Sequence, residues 1–355
     1  MTTQIWEPDD SFATLDLVPV APPIPRSALG QTGLTVSSIS LGGVFVSSAG
    51  AEFDEANAAV RKALELGINY IDTAPTYSDS EEVLGRILQG EEQPFILSTK
   101  LGGRPEPFDP KNPAELRASF EESLRLLGRD SVDILMVHEP DRPGHWDWWD
   151  DFVAVKGPVL DLLEELKADG LIRFTGLGGT TTCEMAHLCA SGKFDVVLTA
   201  FNYSLLWREA ESTVFQAAKK AGMGIIVGSP LQQGVLAARQ TAIDDPSAYW
   251  LHPARKEQFR RLYALCDQAE IPLPEMALRF TLSHPDISTV LSGAKSVAEV
   301  EQNVEAAIRG PLPQDVLDHL DEIAAMVPFR PCGEPMGLGW RIANPAWHRG
   351  MGPLV

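Results

Sequence analysis

Eight times along this chain a short apolar run is followed by a stretch whose apolar residues recur at helical spacing, and few architectures accommodate that alternation. Residues 54–66 show the helical half of the unit. Ala56, Ala59, Val60, Ala63 and Leu64 share one face, and the run stops at Gly67, a residue suited to a left-handed C-cap. The pattern predicts strands at about 38–42, 68–71, 95–99, 132–137, 172–177, 196–200, 224–227 and 287–291. It predicts helices at 54–66, 80–88, 113–127, 158–169, 183–190 and 209–221, within 253–283, at 297–308 and at 314–326. Eight strand-helix units fit an α/β fold of the (β/α)8 TIM-barrel type; an open sheet would show fewer units and a glycine-rich first turn. Gly30 and Gly33 interrupt the β-like text ahead of the first unit, which predicts an N-terminal hairpin. Residues 1–25, acidic and Pro-rich, read as an extended arm. Residues 26–327 read as the barrel, and 328–355 as an extended tail near its mouth.

Charge narrows the partners. Twenty-nine Lys and Arg stand against 49 Asp and Glu, and the resulting net charge of −20 repels a phosphate backbone, so no nucleic acid is expected. No stretch approaches the roughly 18 apolar residues of a membrane span, and the start MTTQIWEPDD has no basic region ahead of an apolar core. A cytoplasmic protein without membrane contact is expected, as a monomer or small homo-oligomer. Cys183, Cys189, Cys266 and Cys332 form no C-x-x-C pair, and His138, His145 and His187 show no paired spacing. Neither a disulfide framework nor a metal site is expected.

Four polar residues close or follow the predicted strands: Asp72 and Tyr77 in GINYIDTAPTY, Lys100 in FILSTK and His138 in DILMVHEPD. Taken singly, each has an ordinary structural role as a turn residue, a surface aromatic, a solvated charge or a strand-end histidine. Their common position at the C-terminal ends of successive strands is where a parallel barrel carries its active site. An acid, a phenol, an amine and an imidazole gathered there can move a proton beside a carbonyl.

These residues sit inside longer matches. LGQTGLTVSSISLGG, ALELGINYIDTAPTYSDSEEVLGRIL, SLRLLGRDSVDILMVHEPD, LLEELKADGLIRFTGLGGT, VGSPLQQGVLA and VLSGAKSVAEVEQNVEAA, in that order, resemble the aldo-keto reductases over residues from about 27 to 326. The resemblance implies a nicotinamide-dependent oxidoreductase in which Tyr77 is the acid or base. Lys100 and Asp72 are expected to lower the pKa of Tyr77, and His138 to orient the substrate oxygen. For the coenzyme it implies Gly43, Val44 and Asp72 near the first strands, then Gly178, Gly179, Ser229, Pro230, Leu231 and Gln233. Ser292, Gly293, Ala294, Lys295, Glu299, Gln302 and Asn303 follow after the last strand. For the substrate it implies Phe45, Tyr77, His138, Trp146 and Trp207.

The chain departs from the common family pattern in three places. Gly178 and Gly179 stand where many members carry a Ser-Asn pair that grips the nicotinamide carboxamide, and Gly228 stands where many stack an aromatic ring. The small residues resemble the branch containing L-galactose, L-fucose and D-threo-aldose 1-dehydrogenases, which oxidises the anomeric carbon of sugars. Glu299 replaces an arginine that often binds the 2′-phosphate of NADP, so NAD is the expected coenzyme and NADP the alternative; Glu299 equally suits a solvated helix face. The loop GHWDWWDD offers aromatic faces and carboxylates to a sugar or aldehyde, or the tryptophans bury against a neighbouring element. Two other functions remain open. One is reduction of a small or aromatic carbonyl; the other is a binding role like that of potassium-channel beta subunits, which the fold also resembles.

Overall fold

A computed structural model describes residues 23–142, 144–248 and 251–328; most of the expected arm and the tail beyond 328 lie outside the described residues. Eight parallel strands close into one barrel. They are β3 (Ile39–Gly42), β4 (Tyr70–Asp72), β5 (Ile96–Leu101), β6 (Val132–His138), β7 (Ile172–Gly179), β8 (Val196–Ala200), β9 (Gly224–Gly228) and β10 (Thr289–Gly293), with β10 pairing back onto β3. Helices α1 (Phe53–Glu65), α2 (Ser80–Ile87), α3 (Pro113–Leu127), α4 (Pro158–Ala168), α5 (Cys183–Ala190) and α6 (Val214–Ala221) alternate with the first strands. The last turns of the barrel carry α7 (Pro253–Ala269), α8 (Leu273–Leu282), α9 (Val297–Arg309) and α10 (Gln314–Ala325). Among the described residues no helix is long and apolar enough to cross a membrane.

Strand alternation sorts the side chains into two cores. Ile71, Leu97, Leu135, Val137, Leu177, Val197, Ile225 and Val227 point outward into the helices, whereas Tyr70, Ile96, Ile134, Met136, Val196, Leu198 and Ile226 fill the barrel. The expected hairpin, β1 (Arg26–Ala28) and β2 (Thr35–Ser37), closes the N-terminal end, adding Leu29, Leu34 and Val36 to the interior core. Its turn depends on Gly30, at φ +55°, because a β-carbon there would lie 2.2 Å from the backbone nitrogen of Gly224. With that end plugged, the C-terminal ends of the strands are the open mouth.

Two boundaries differ from the expectation in informative ways. β5 runs on to Leu101 rather than ending at Thr99, so Lys100 is a strand residue whose inward direction is set by alternation with Ile96 and Ser98. α6 begins at Val214 rather than Glu209, because the preceding segment bonds elsewhere: the Ala210 nitrogen donates to the Asn202 carbonyl, 3.0 Å away, and that contact turns the chain before the helix starts.

The stagger of a closed barrel puts inward residues of alternate strands into common layers. Register and alternation set Lys100 of β5 in one layer with Gly42 of β3, Gly178 of β7 and Gly228 of β9. One long cationic side chain thus shares its level with three residues that have none.

Candidate active site

At the mouth the acid and the amine form a buried ion pair. Lys100 Nζ lies 2.5 Å from Asp72 Oδ2 and donates a second bond to the Thr73 carbonyl at 2.8 Å; Ser98 Oγ donates to the other Asp72 oxygen at 2.9 Å. Asp72 and Lys100 are essentially inaccessible to water. Burial pushes the Asp72 carboxyl upward, and Lys100 and Ser98 pull it back. Burial depresses Lys100, but Asp72 and Tyr77 outweigh it and raise its pKa, so the ammonium stays charged.

Tyr77, in the loop after β4, places its ring centroid 4.6 Å from Lys100 Nζ and meets the His138 ring edge-on at 5.8 Å. The structure therefore gathers all four expected residues from three separate stretches of chain. It also revises the expected electrostatics. Lys100 does lower the Tyr77 pKa, but Asp72 raises it, and burial of the phenol raises it most, so the phenol ends above its ordinary value. His138 is pushed well below its usual range by burial, then by Lys100 and His145, and so stays neutral near neutral pH. Its Nδ1 lies 3.4 Å from Thr76 Oγ1, and Trp148 Nε1 donates to its carbonyl at 3.0 Å.

The residues expected to hold a coenzyme lie around the rest of the mouth. Gly43 and Val44 open the turn after β3, where the Gly43 carbonyl accepts from Ser80 Oγ at 2.8 Å. Phe45, from the same turn, fills the space a side chain at Gly293 would need: a β-carbon there would lie 2.2 Å from its ring. Gly178 leaves room beside Lys100, whereas a β-carbon on Gly179 would meet Met185 and Asp141 outside the barrel. Ser229, Gln232 and Gln233 all adopt left-handed φ values near +50° in the loop after β9, which also holds Pro230 and Leu231. Both polar atoms of the Gln233 amide are buried without a partner among the described residues, as is Ser292 Oγ at the end of β10. Buried orphan polar atoms are costly unless something bonds them. They and the glycine layer fit a flat, polar nicotinamide coenzyme. Ala294 is buried, and Lys295 leads into α9, which carries Glu299, Gln302 and Asn303. Glu299 lies at the capped start of α9: its nitrogen donates to the N-cap Ser296 Oγ at 3.3 Å, and its carboxylate accepts from the nitrogen of Lys295, one residue before the cap, at 3.0 Å.

The expected substrate residues divide. Trp146 is half-buried, 5.9 Å from the His138 ring, and packs on Gly102 and Gly103 among His145, Phe108 and Trp148. Trp148 and Trp149 are buried. Trp207 is buried too, with the Arg255 guanidinium 5.0 Å from its ring, so it belongs to the packing of α7 rather than to the quartet. The sequence reading missed Ser98 and Glu139. Strand parity with Lys100 was the available signal for Ser98, and for Glu139 only its place after His138.

The comparisons extend this picture. The aldo/keto reductase family model matches residues 38–325. L-galactose dehydrogenase of Arabidopsis thaliana is 32% identical over 79% of this chain and 86% of its own length. Pyridoxal 4-dehydrogenase of Microbacterium luteolum is 30% identical over 79% of this chain and 92% of its own. Among solved structures, the holo form of an aldo-keto reductase from Bacillus halodurans superposes with a TM-score of 0.71 at 26% identity, covering 88% of this chain and 100% of that one. With the closed eight-stranded barrel and a family match over most of its length, the chain belongs to the aldo/keto reductase family.

Proposed function

We propose that the protein oxidises the anomeric carbon of an aldose to a lactone, with NAD as hydride acceptor and Tyr77 as general base. The observation that carries this reading is the Asp72–Lys100 ion pair lying under the Tyr77 ring, with neutral His138 5.8 Å from that ring. The coenzyme, when bound, supplies the acceptor for the hydride leaving carbon. Gly43, Ser229, Gln233 and Ser292 are the residues that would hold it, with Glu299 near the far end. Tyr77 takes the hydroxyl proton, the Lys100 charge favours the phenolate that must form, and Asp72 keeps Lys100 charged. His138, neutral, can donate a hydrogen bond to the substrate oxygen and fix its distance from Tyr77.

The sugar assignment draws on the L-galactose dehydrogenase relative and on the half-buried face of Trp146 beside His138. Pyridoxal and the aldoses share one chemical feature, since each closes on its own hydroxyl to a cyclic hemiacetal. Oxidation of such a ring at the hemiacetal carbon is the reaction class that accommodates both relatives. A second reading has its own observation. The raised pKa of Tyr77 keeps the phenol protonated at neutral pH, the form that protonates a carbonyl oxygen during reduction. Purified protein assayed with NAD and NADP against aldoses, pyridoxal and simple aldehydes, by absorbance of the reduced coenzyme, separates the readings. Turnover of simple aldehydes alone, in the reductive direction alone, would sink the aldose assignment.

A further inference from the structure

Directly after His138 the chain makes an unusual turn. Glu139 takes φ +48°, a left-handed conformation that a residue with a long side chain seldom adopts, and its nitrogen is tied to the Gly178 carbonyl at 2.7 Å. Strain of this kind persists where the surroundings impose it, and it concentrates at functional sites. Here it seats a carboxylate between Thr180, just after β7, and Arg142, in the loop after β6. That carboxylate is held from one side only. Oε2 accepts from Thr180 Oγ1 at 3.0 Å and pairs with Arg142 Nε at 3.2 Å. Oε1 has no hydrogen-bond partner among the described residues and retains contact with solvent.

The surroundings place the group in the site's own field. Lys100 acts on the Glu139 charge, and the Glu139 charge acts in turn on Tyr77. Asp141 opposes ionisation of Glu139 and Arg142 favours it, while Asp141 itself is engaged by the Thr180 and Thr181 amides at 2.9 and 2.5 Å. Glu139 is therefore an oriented acceptor with one open oxygen, next in sequence to the imidazole of the proton-transfer site. An acceptor there has nothing to bond on a simple aldehyde. A polyol offers a hydroxyl beside the reacting carbon.

We propose that Glu139 is a specificity-determining residue whose Oε1 accepts a hydrogen bond from a hydroxyl adjacent to the reacting carbon of a polyhydroxylated substrate. This rests on the aldose reading and names the group that distinguishes a sugar from a plain aldehyde. A hydrogen bond to a carboxylate acceptor is worth roughly one to two orders of magnitude in binding.

The test compares wild type, Glu139→Gln and Glu139→Ala with an accepted aldose, the same aldose lacking its 2-hydroxyl, and a hydroxyl-free aldehyde in the reductive direction. Coenzyme affinity is followed separately by quenching of tryptophan fluorescence. The expected result is a KM for the aldose raised about 10- to 100-fold in Glu139→Ala, less in Glu139→Gln, whose amide oxygen still accepts. Discrimination between aldose and deoxy sugar should collapse, with kcat on the aldehyde and the coenzyme dissociation constant moving much less. An equal loss on all three substrates, or weakened coenzyme binding of the same size, overturns the proposal. Unchanged aldose kinetics in Glu139→Ala, with an active wild type, overturns it while leaving the functional reading intact. A wild type that turns over no aldose overturns both.

Discussion

A β-carbon at Gly178 would lie 3.4 Å from Cε of Lys100 and 3.6 Å from its Cδ. The glycine on β7 thus borders the channel through which the Lys100 stem reaches Asp72. Alanine there makes an ordinary contact, whereas a branched side chain must push the stem aside. Gly178→Val is expected to lower kcat/KM by roughly 100-fold, as a displacement of about 1 Å at a reacting centre can do, and Gly178→Ala by less than about threefold. Steady-state kinetics on both variants checks the ordering.

Removing the phenol should spare binding and remove chemistry. Tyr77→Phe keeps the ring that lies by Lys100 and His138 and deletes the proton-transfer group. The expected loss in kcat is about 10²- to 10⁴-fold, with coenzyme affinity little altered. Undiminished turnover would withdraw the role given to Tyr77.

Lys100 lowers the Tyr77 pKa, so its removal must raise it further. In the oxidative direction the reactive form is the phenolate, and activity should rise with pH. In Lys100→Met that rise is expected at more alkaline pH than in wild type. The variant also leaves Asp72 buried without its cation, a cost of about 3–5 kcal/mol, which thermal melting reads independently. An unshifted pH profile would show that Lys100 acts only in packing.

Glu139 makes a separate prediction about stability. Burial, then Asp141, push its carboxyl from 4.5 to about 7, against the opposing pull of Arg142. Between those values the folded protein keeps a proton that the unfolded chain releases, so stability falls as pH rises through that window. His138 has the opposite sign, because its depressed pKa makes stability fall as pH drops below about 6.5. Subtracting the melting temperatures of Glu139→Gln from those of wild type across pH 4.5 to 8 isolates the Glu139 contribution. The wild-type curve should decline more steeply toward high pH than that of the variant.

Coenzyme choice can be tested at Glu299. Its carboxylate bonds the Lys295 nitrogen, which keeps a negative group at the start of α9. Glu299→Arg is expected to raise kcat/KM for NADP at least about tenfold relative to NAD, because a guanidinium binds a phosphate dianion that a carboxylate repels. It should also cost roughly 0.3–1 kcal/mol of stability, because a cation replaces an anion in the first turn of α9, while the Ser296 cap on the backbone nitrogen is kept. A wild type that already prefers NADP would overturn the expected NAD preference.

What could be read in advance depended on short-range pattern. The alternation of apolar runs with helical periodicity announced the barrel, and the position of Asp72, Lys100 and His138 at strand ends announced the mouth, because side-chain direction in a strand follows parity alone. Glu299 shows where that reading ended. Its sequence context left a ribose contact and a helix-surface role open, and the structure adds a bond to the Lys295 nitrogen that either role can accompany. Trp207 looked like one more aromatic for the substrate, but its burial against Arg255 depends on a helix nearly fifty residues further along the chain.

The sequence by itself determined the fold class, the order of its elements and the identity of the four residues at the mouth, since each of these follows from local periodicity and spacing. Only the tertiary structure decided their electrostatic character. Whether Tyr77 sits above or below its ordinary pKa depends on how far its phenol is desolvated, set against the charges of Lys100 and Asp72. Whether Glu139 keeps an open oxygen depends on Thr180 and Arg142 approaching from one side. Desolvation and Coulomb interaction act through space, between groups far apart in the chain, and so they exist only once the barrel has closed.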